Sequence, residues 1–258
     1  MNKLIMLGVS AGLLMSPGLA LADSHEGAEL KPATPIELFT CTYNEGKGHD
    51  DLVPVVSAWN AWADSRGITD YSAWTLIPYY TSPQQEFDVI WLGGAPSAVA
   101  LGRAQDAWIS TGGDVGEKFD EVMTCDAHVA FAALTFKTPP ERENPDNLVI
   151  SFSDCNVSET SSFNELVPAI MDWASYREGH GSTAGMWSLM PAMGGGGETF
   201  DFKWITSYQN LAELGADFDQ YSESGWKKGD ELFMDKVSCD SSRVYLATNQ
   251  RRAEETDD

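Results

Sequence analysis

The feature that most constrains the fold is a short phrase that occurs twice, "DLVPVVSAW" at 51–59 and "ELVPAIMDW" at 165–173. A proline inside an otherwise helical pattern is unusual, so chance repetition is a poor account of it. The copies are offset by 114 (166 − 52), and the match runs outward: Cys41 meets Cys155 and Trp59 meets Trp173. At an offset of 113, Trp74 meets Trp187, Phe87-Asp88 meets Phe200-Asp201, Trp91 meets Trp204 and Leu101-Gly102 meets Leu214-Gly215. The offset returns to 114 where Cys125-Asp126 meets Cys239-Asp240. Such self-similarity marks two copies of one structural unit, each of about 100 residues, near the common domain size. The join, "KTPPERENPDN" at 137–147, is polar and proline-rich, as a linker is. The expected organisation is a signal peptide at 1–22, a flexible segment at 23–34, a first unit at 35–136, the linker at 137–147, a second unit at 148–249 and an acidic tail at 250–258.

Within each unit the hydrophobic period changes in a fixed order. "IELFTCTY" reads as a strand; Leu52, Val55, Val56, Trp59 and Ala63 then fall at helical spacing, with Pro54 near the first turn. "DYSAWTLIPYY" and "EFDVIWLGG" read as two strands joined by "TSPQQ", a hairpin signal. "PSAVALGRAQDAWIS" reads as a second helix and "CDAHVAFAALTF" as a last strand. The order is βαββαβ, twice, which is the ferredoxin-like split βαβ unit with its first and last strands side by side. Four cysteines permit three pairings. Symmetry and strand adjacency favour Cys41 with Cys125 and Cys155 with Cys239, since both loops then span 84 residues. In the chain-entropy view each closure contributes at most about 4–5 kcal/mol.

Two tandem βαββαβ units with apolar faces on both sides of the sheet resemble the dimeric α/β-barrel superfamily, here fused as a pseudo-dimer within one chain. The resemblance implies an α+β fold, two ferredoxin-like units packed as one barrel. Its members include antibiotic-biosynthesis-type monooxygenases, haem-degrading enzymes, small isomerases and stress-response proteins, so fold by itself does not assign a function.

The opening stretch "MNKLIMLGVSAGLLMSPGLALA" has a basic residue at Lys3, an apolar run from Leu4 to Met15 and an A-x-A site at Ala20-Leu21-Ala22, the pattern of a secretory signal. A periplasmic or secreted protein is expected, with the disulfides suited to such a compartment. No later segment is apolar enough for a membrane span. Without the first 22 residues, 15 basic residues face 39 acidic ones, a net charge of −24. Such a surface repels nucleic acid and is expected to keep the protein soluble.

No signature of known chemistry stands out. The four histidines, His25, His49, His128 and His180, have no histidine counterpart in the other copy, and no metal-binding spacing is present. No metal site and no cofactor are therefore expected; haem is a third possibility, with His128 or His180 as a lone ligand. The glycines at 194–197 fall where the first copy has its hairpin and read as a loop tip, not a phosphate cradle. Asp88, Asp201, Lys203 and Arg243 are expected to point away from the helices, with Glu37 sharing that face with Cys41, and to meet as ion pairs in the partly closed barrel interior. A carboxylate among them is a candidate general base. A small apolar or aromatic ligand is expected against Trp74 and Trp91 or against Trp187 and Trp204, with His180 as the orienting group in the second unit. The leading reading is an exported small-molecule-binding protein or a cofactor-independent enzyme, monooxygenase-like or isomerase-like. The alternative is a non-catalytic scaffold. A residue present in both copies serves the shared fold first, so a site is best sought among residues special to one copy.

Overall fold

The structure is a computed structural model that describes residues 30–254, so the expected signal peptide at 1–22 and His25 lie outside the described residues. The first half runs β1 (Thr34–Tyr43), α1 (His49–Ser65), β2 (Ser72–Tyr80), β3 (Val89–Gly94), α2 (Ala98–Thr111), α3 (Gly113–Val122) and β4 (Met123–Lys137). The second runs β5 (Asn147–Val157), α4 (Phe163–Gly179), β6 (Gly185–Met193), β7 (Phe202–Tyr208), α5 (Leu211–Gln220), a π-helical turn (Tyr221–Gly225), α6 (Trp226–Phe233), β8 (Val237–Cys239) and β9 (Arg243–Arg251). The sequence reading leaves 111–124 without an element, where the structure has α3. Gly112 separates α2 from α3 and lies so close to Trp108 that a Cβ there would stand 2.4 Å from its ring.

The strands form one antiparallel sheet in the order β7-β6-β4-β1-β3-β2-β9-β5, and β5 pairs again with β7, which closes eight strands into a barrel. β8 lies against β5 beyond the start of β9. The two halves meet at β4 with β6 and at β2 with β9. Pro54 and Pro168 each fall in the second turn of their helices, at the same place in the repeat. Each lies beyond the free N–H groups of the first turn and so removes one intrahelical bond, the one to the carbonyl of Asp50 or Asn164.

Strand parity decides what fills the barrel. Leu38, Leu76, Ile90, Phe131, Ile150, Leu189, Ile205 and Tyr245, one from each of the eight strands, form a single buried cluster inside it. Two further clusters lie between sheet and helices, one around Leu52, Val56, Trp59 and Trp91, the other around Leu166, Ile170, Trp173 and Phe202. Cys41 and Cys155 are fully buried on the helix-facing side and are bonded to Cys125 and Cys239 across adjacent strands.

The expected ion pairs in the barrel interior are corrected by this arrangement. The interior is apolar, and Glu37 shares the helix-facing side with Cys41. Lys203 and Arg243 do come together, 2.5 and 3.2 Å from Asp154, each the next residue on the same strand face beyond Ile205 and Tyr245, at the end of the barrel. The Lys203 ammonium also lies 3.9 Å from the centre of the Phe200 ring. All four residues belong to the second half, so this cluster caps the apolar interior and does not join the halves. Asp88 and Asp201 accept from the N–H groups of Tyr43 and Val157 at 2.9 and 2.8 Å, pinning the ends of β1 and β5 in the same way.

Because all eight strands supply the interior cluster, neither half keeps its core without the other. Cleavage after Asn144 should leave fragments that stay associated or aggregate, as light scattering would show; two stable monomeric fragments would contradict the shared core. Non-reducing peptide mapping should recover Cys41–Cys125 and Cys155–Cys239 and no cross-pairing between the halves.

Candidate functional site

Under the helices of each half lies a cavity. The first, of about 550 Å³, is walled by Phe39 of β1, Trp59 and Trp62 of α1, Trp91 of β3, Trp108 of α2 and Phe119 of α3. The rings meet nearly at right angles: Trp59 on Trp91 and Trp62 on Trp108 both at 83°. Edge-to-face contacts of this kind fix ring positions and so shape the walls.

The floor of this cavity is a polar cluster centred on Glu37, which is only 5% exposed. Its Oε1 accepts from the Tyr71 hydroxyl at 2.7 Å, and its Oε2 accepts from Gln105 Nε2 at 2.8 Å. His128 Nε2 lies 2.8 Å from the same Oε2. Trp91 Nε1 donates to the Tyr71 oxygen at 3.2 Å. Burial first, and the Glu37 charge second, push the Tyr71 hydroxyl well above its usual range, so it remains a donor to Glu37. A buried carboxylate needs such partners, because leaving it unpaired costs far more than the hydrogen bonds contribute.

The backbone explains why these residues meet. In the β1–β4 register Phe39 is paired with His128, so the imidazole stacks on the phenyl ring with centroids 3.8 Å apart. Glu37 and His128 are then diagonal neighbours, within reach for long side chains. Gly93, in β3, makes room for the cluster: a Cβ there would stand 1.8 Å from the Tyr71 hydroxyl. A glycine inside a strand often marks such a close approach. Gly194 has φ +85°, and a Cβ there would stand 2.4 Å from the His128 carbonyl oxygen, so the loop after β6 rests on the strand that carries His128.

The second cavity, of about 580 Å³, keeps aromatic walls in Trp173, Trp204, Tyr221 and Phe233. Its polar groups differ throughout. The repeat offsets place Ser151, Ala184, Phe218 and Ser242 where the first half has Glu37, Tyr71, Gln105 and His128. The bond from Ser242 to Ser153, 2.8 Å, stands in place of the His128–Phe39 stack. In turn Ala63 and Ala104 of the first half become Arg177 and Asp217, a buried ion pair. Burial lowers the Arg177 guanidinium below its ordinary range.

The residues named from the sequence are thus dispersed. Trp91 and Trp204 face the helix-side cavities, whereas Trp74 and Trp187 lie on the other face of the sheet, against the barrel interior. His180 caps α4 on the surface, its Nδ1 2.7 Å from the Tyr176 carbonyl, and lines neither cavity. His128 lines the first cavity, while Asp88, Asp201, Lys203 and Arg243 hold strand ends and the barrel rim. Sequence reasoning passed over Tyr71 and Gln105 and noted Glu37 only for its face. The search for residues special to one copy, together with a glycine inside a strand, was the signal that could have found them. Among the described residues, no group of three or more His, Cys, Asp or Glu is placed to hold a metal ion.

No protein-family model matches the chain, and no curated protein matches it in sequence. Solved structures do share its fold, the dimeric α/β barrel. A candidate monooxygenase from Lactobacillus acidophilus NCFM aligns over 85% of this chain and 95% of its own, with 12% identity and a TM-score of 0.53. A mutant chlorite dismutase from Candidatus Nitrospira defluvii aligns over 85% and 93%, with 7% identity and a TM-score of 0.52. A heme-binding protein from Thermus thermophilus aligns over 86% and 94%, with 9% identity and a TM-score of 0.50.

The fit of Tyr71 to Gly93 is open to a double-mutant test. Gly93→Ala should destabilise the protein by about 1–3 kcal/mol through overpacking, and by much less in a Tyr71→Ala background, where the space is free. Equal costs in both backgrounds, by chemical denaturation, would show that Gly93 does not make room for Tyr71.

Proposed function

We propose that this chain is an exported small-molecule-binding protein whose working cavity is the one in the first half. The observation that carries this reading is the cluster of Glu37, Tyr71, Gln105 and His128 on the floor of an aromatic cavity, replaced in the other half by serine, alanine and phenylalanine. Aromatic walls kept in both halves serve packing, while a polar set found in one half is unexplained by packing. Export would follow from the opening apolar stretch with its A-x-A site, and the two buried disulfides suit an oxidising compartment. The chain would be a tandem pseudo-dimer of ferredoxin-like units at 35–136 and 148–249, a division supported by the repeat and by the matching strand orders β4-β1-β3-β2 and β9-β5-β7-β6.

Where the ligand is also transformed, His128 is the group in this cluster suited to move a proton. With Nε2–H given to Glu37, Nδ1 is left as the acceptor, and the carboxylate steadies the ring and the charge it gains. That is chemistry a cofactor-independent enzyme, monooxygenase-like or isomerase-like, would use.

Haem is the second reading, favoured by one observation: His128 lines the first of the two cavities, and among the described residues no histidine lines the second. His128 would hold the iron through Nδ1, and a bound haem would supply redox chemistry. Against it, the first cavity is lined by Glu37 and Asp120 and by no arginine or lysine, so its walls would repel haem propionates.

A fluorescence screen of aromatic and apolar small molecules should find ligands that quench tryptophan emission, and a Trp108→Phe variant should lose much of the change. Haemin titration should give no Soret shift that His128→Ala abolishes. If no compound perturbs the fluorescence, the scaffold reading is the better one; a His128-dependent Soret shift would favour haem.

A further inference from the structure

We infer that the first cavity selects an organic cation, an amine or quaternary ammonium carrying an apolar or aromatic body; this rests on the small-molecule reading above. The charged and titratable side chains that line the cavity are Glu37, Asp120, His128 and Tyr71. Glu37 faces only donors, from Tyr71, Gln105 and His128, the surroundings of an acceptor-only carboxylate. Among the described residues the lining holds two carboxylates and no arginine or lysine.

The walls act in the same sense. Trp59, Trp62, Trp91 and Trp108 together with Phe39 and Phe119 surround the space, and the perpendicular ring pairs place faces and edges around it as a box. Aromatic faces carry negative quadrupole charge and attract a cation most strongly where it is desolvated. Trp59 already shows this preference, with the Arg251 guanidinium 6.0 Å from its ring. Arg251 is itself paired with Asp64 at 2.8 Å, and it is not part of the cavity lining. The net charge of −23 raises the local concentration of cations and disfavours anions at every part of the surface.

The second cavity supplies the internal contrast. Its walls are also aromatic, but Ser151 replaces Glu37, and because Arg177 and Asp217 neutralise each other, Asp230 is left as a single carboxylate where the first cavity has two. A preference for cations that came only from aromatic walls would appear in both cavities, whereas one that depends on Glu37 appears in the first alone.

Three probes of one shape class separate the possibilities: benzyltrimethylammonium, benzyl alcohol and phenylacetate, each titrated by calorimetry and tryptophan fluorescence into the full-length protein. Benzyltrimethylammonium should bind about tenfold more tightly than benzyl alcohol, and phenylacetate should not bind detectably. Glu37→Gln should remove about tenfold from the cation and weaken benzyl alcohol by a clearly smaller factor. Asp120→Asn, at the exposed rim and without a side-chain bond to the fold, should weaken the cation about twofold. It serves as the independent test if Glu37→Gln fails to fold. Benzyl alcohol binding as tightly as the cation would overturn this inference and leave small-molecule binding intact. Cation binding that neither Glu37→Gln nor Asp120→Asn alters would also overturn it. Failure of all three probes to bind at millimolar concentration would overturn both readings.

Discussion

Closure of the barrel is the constraint on which the rest of the structure depends. An open sheet of eight strands would leave two edges with unpaired backbone groups, and the β4–β6, β2–β9 and β5–β7 pairings leave the ring with neither. Closure also turns one face of every strand inward. That face must then be apolar on all eight strands at once, because a buried ion pair in so small an interior would have to repay a large desolvation cost. Lys203, Arg243 and Asp154 show where charge is tolerated: at the rim, with Arg243 also bonded to Asp240 at 2.7 Å, and not inside.

With the interior occupied by packing, the helix-facing sides are free to differ. Both halves keep a tryptophan pair on the same frame, Trp59 with Trp91 and Trp173 with Trp204, and a phenylalanine against the second of each pair. On those common walls the halves carry opposite solutions. The first has small residues, Ala63 and Ala104, behind the cavity and a carboxylate cluster on its floor. The second has a buried Arg177–Asp217 pair behind and hydroxyls on the floor. An ion pair buried this deeply contributes little net stability while both partners are present, yet removing one partner costs about 3–5 kcal/mol. On the reading proposed above, the second half serves packing and the first a ligand.

The disulfides and the paired aspartates address a different weakness. Each long first strand runs past one barrel neighbour, since β3 pairs with β1 only as far as Cys41 and β7 with β5 only as far as Cys155, and its end is open on that side. Cys41–Cys125 and Cys155–Cys239 tie those ends to the neighbouring strand, and Asp88 and Asp201 each accept an N–H two residues further on. The matched loops of 84 residues are a consequence of the repeat. The same anchored end holds the strand pair that places Glu37 and His128 side by side, so rigidity of the frame and definition of the site are linked.

Much of this was legible in the chain alone. The offset of 114 pointed to two copies, the order of periods gave the strands and main helices but not α3 or the split after α5, and symmetry selected the disulfides that the structure contains. These features are local or are comparisons of the chain with itself, so they survive without coordinates. Alternation along a strand separates Trp91 from Leu92, yet it cannot say which of the two faces a helix and which a closed interior. Trp74 and Trp91 therefore looked like neighbours, and the charges near Cys41 and Cys239 seemed to share an interior. Nor does any local pattern bring together Glu37 and His128, 91 residues apart. Only the pairing of β1 with β4, the space left by Gly93 and the burial that obliges Glu37 to find donors place them in one cavity. What the sequence determined by itself was the repeated frame, because periodicity is a property of neighbouring residues; what tertiary structure decided was the site, because contacts between distant residues exist only once register and closure are set.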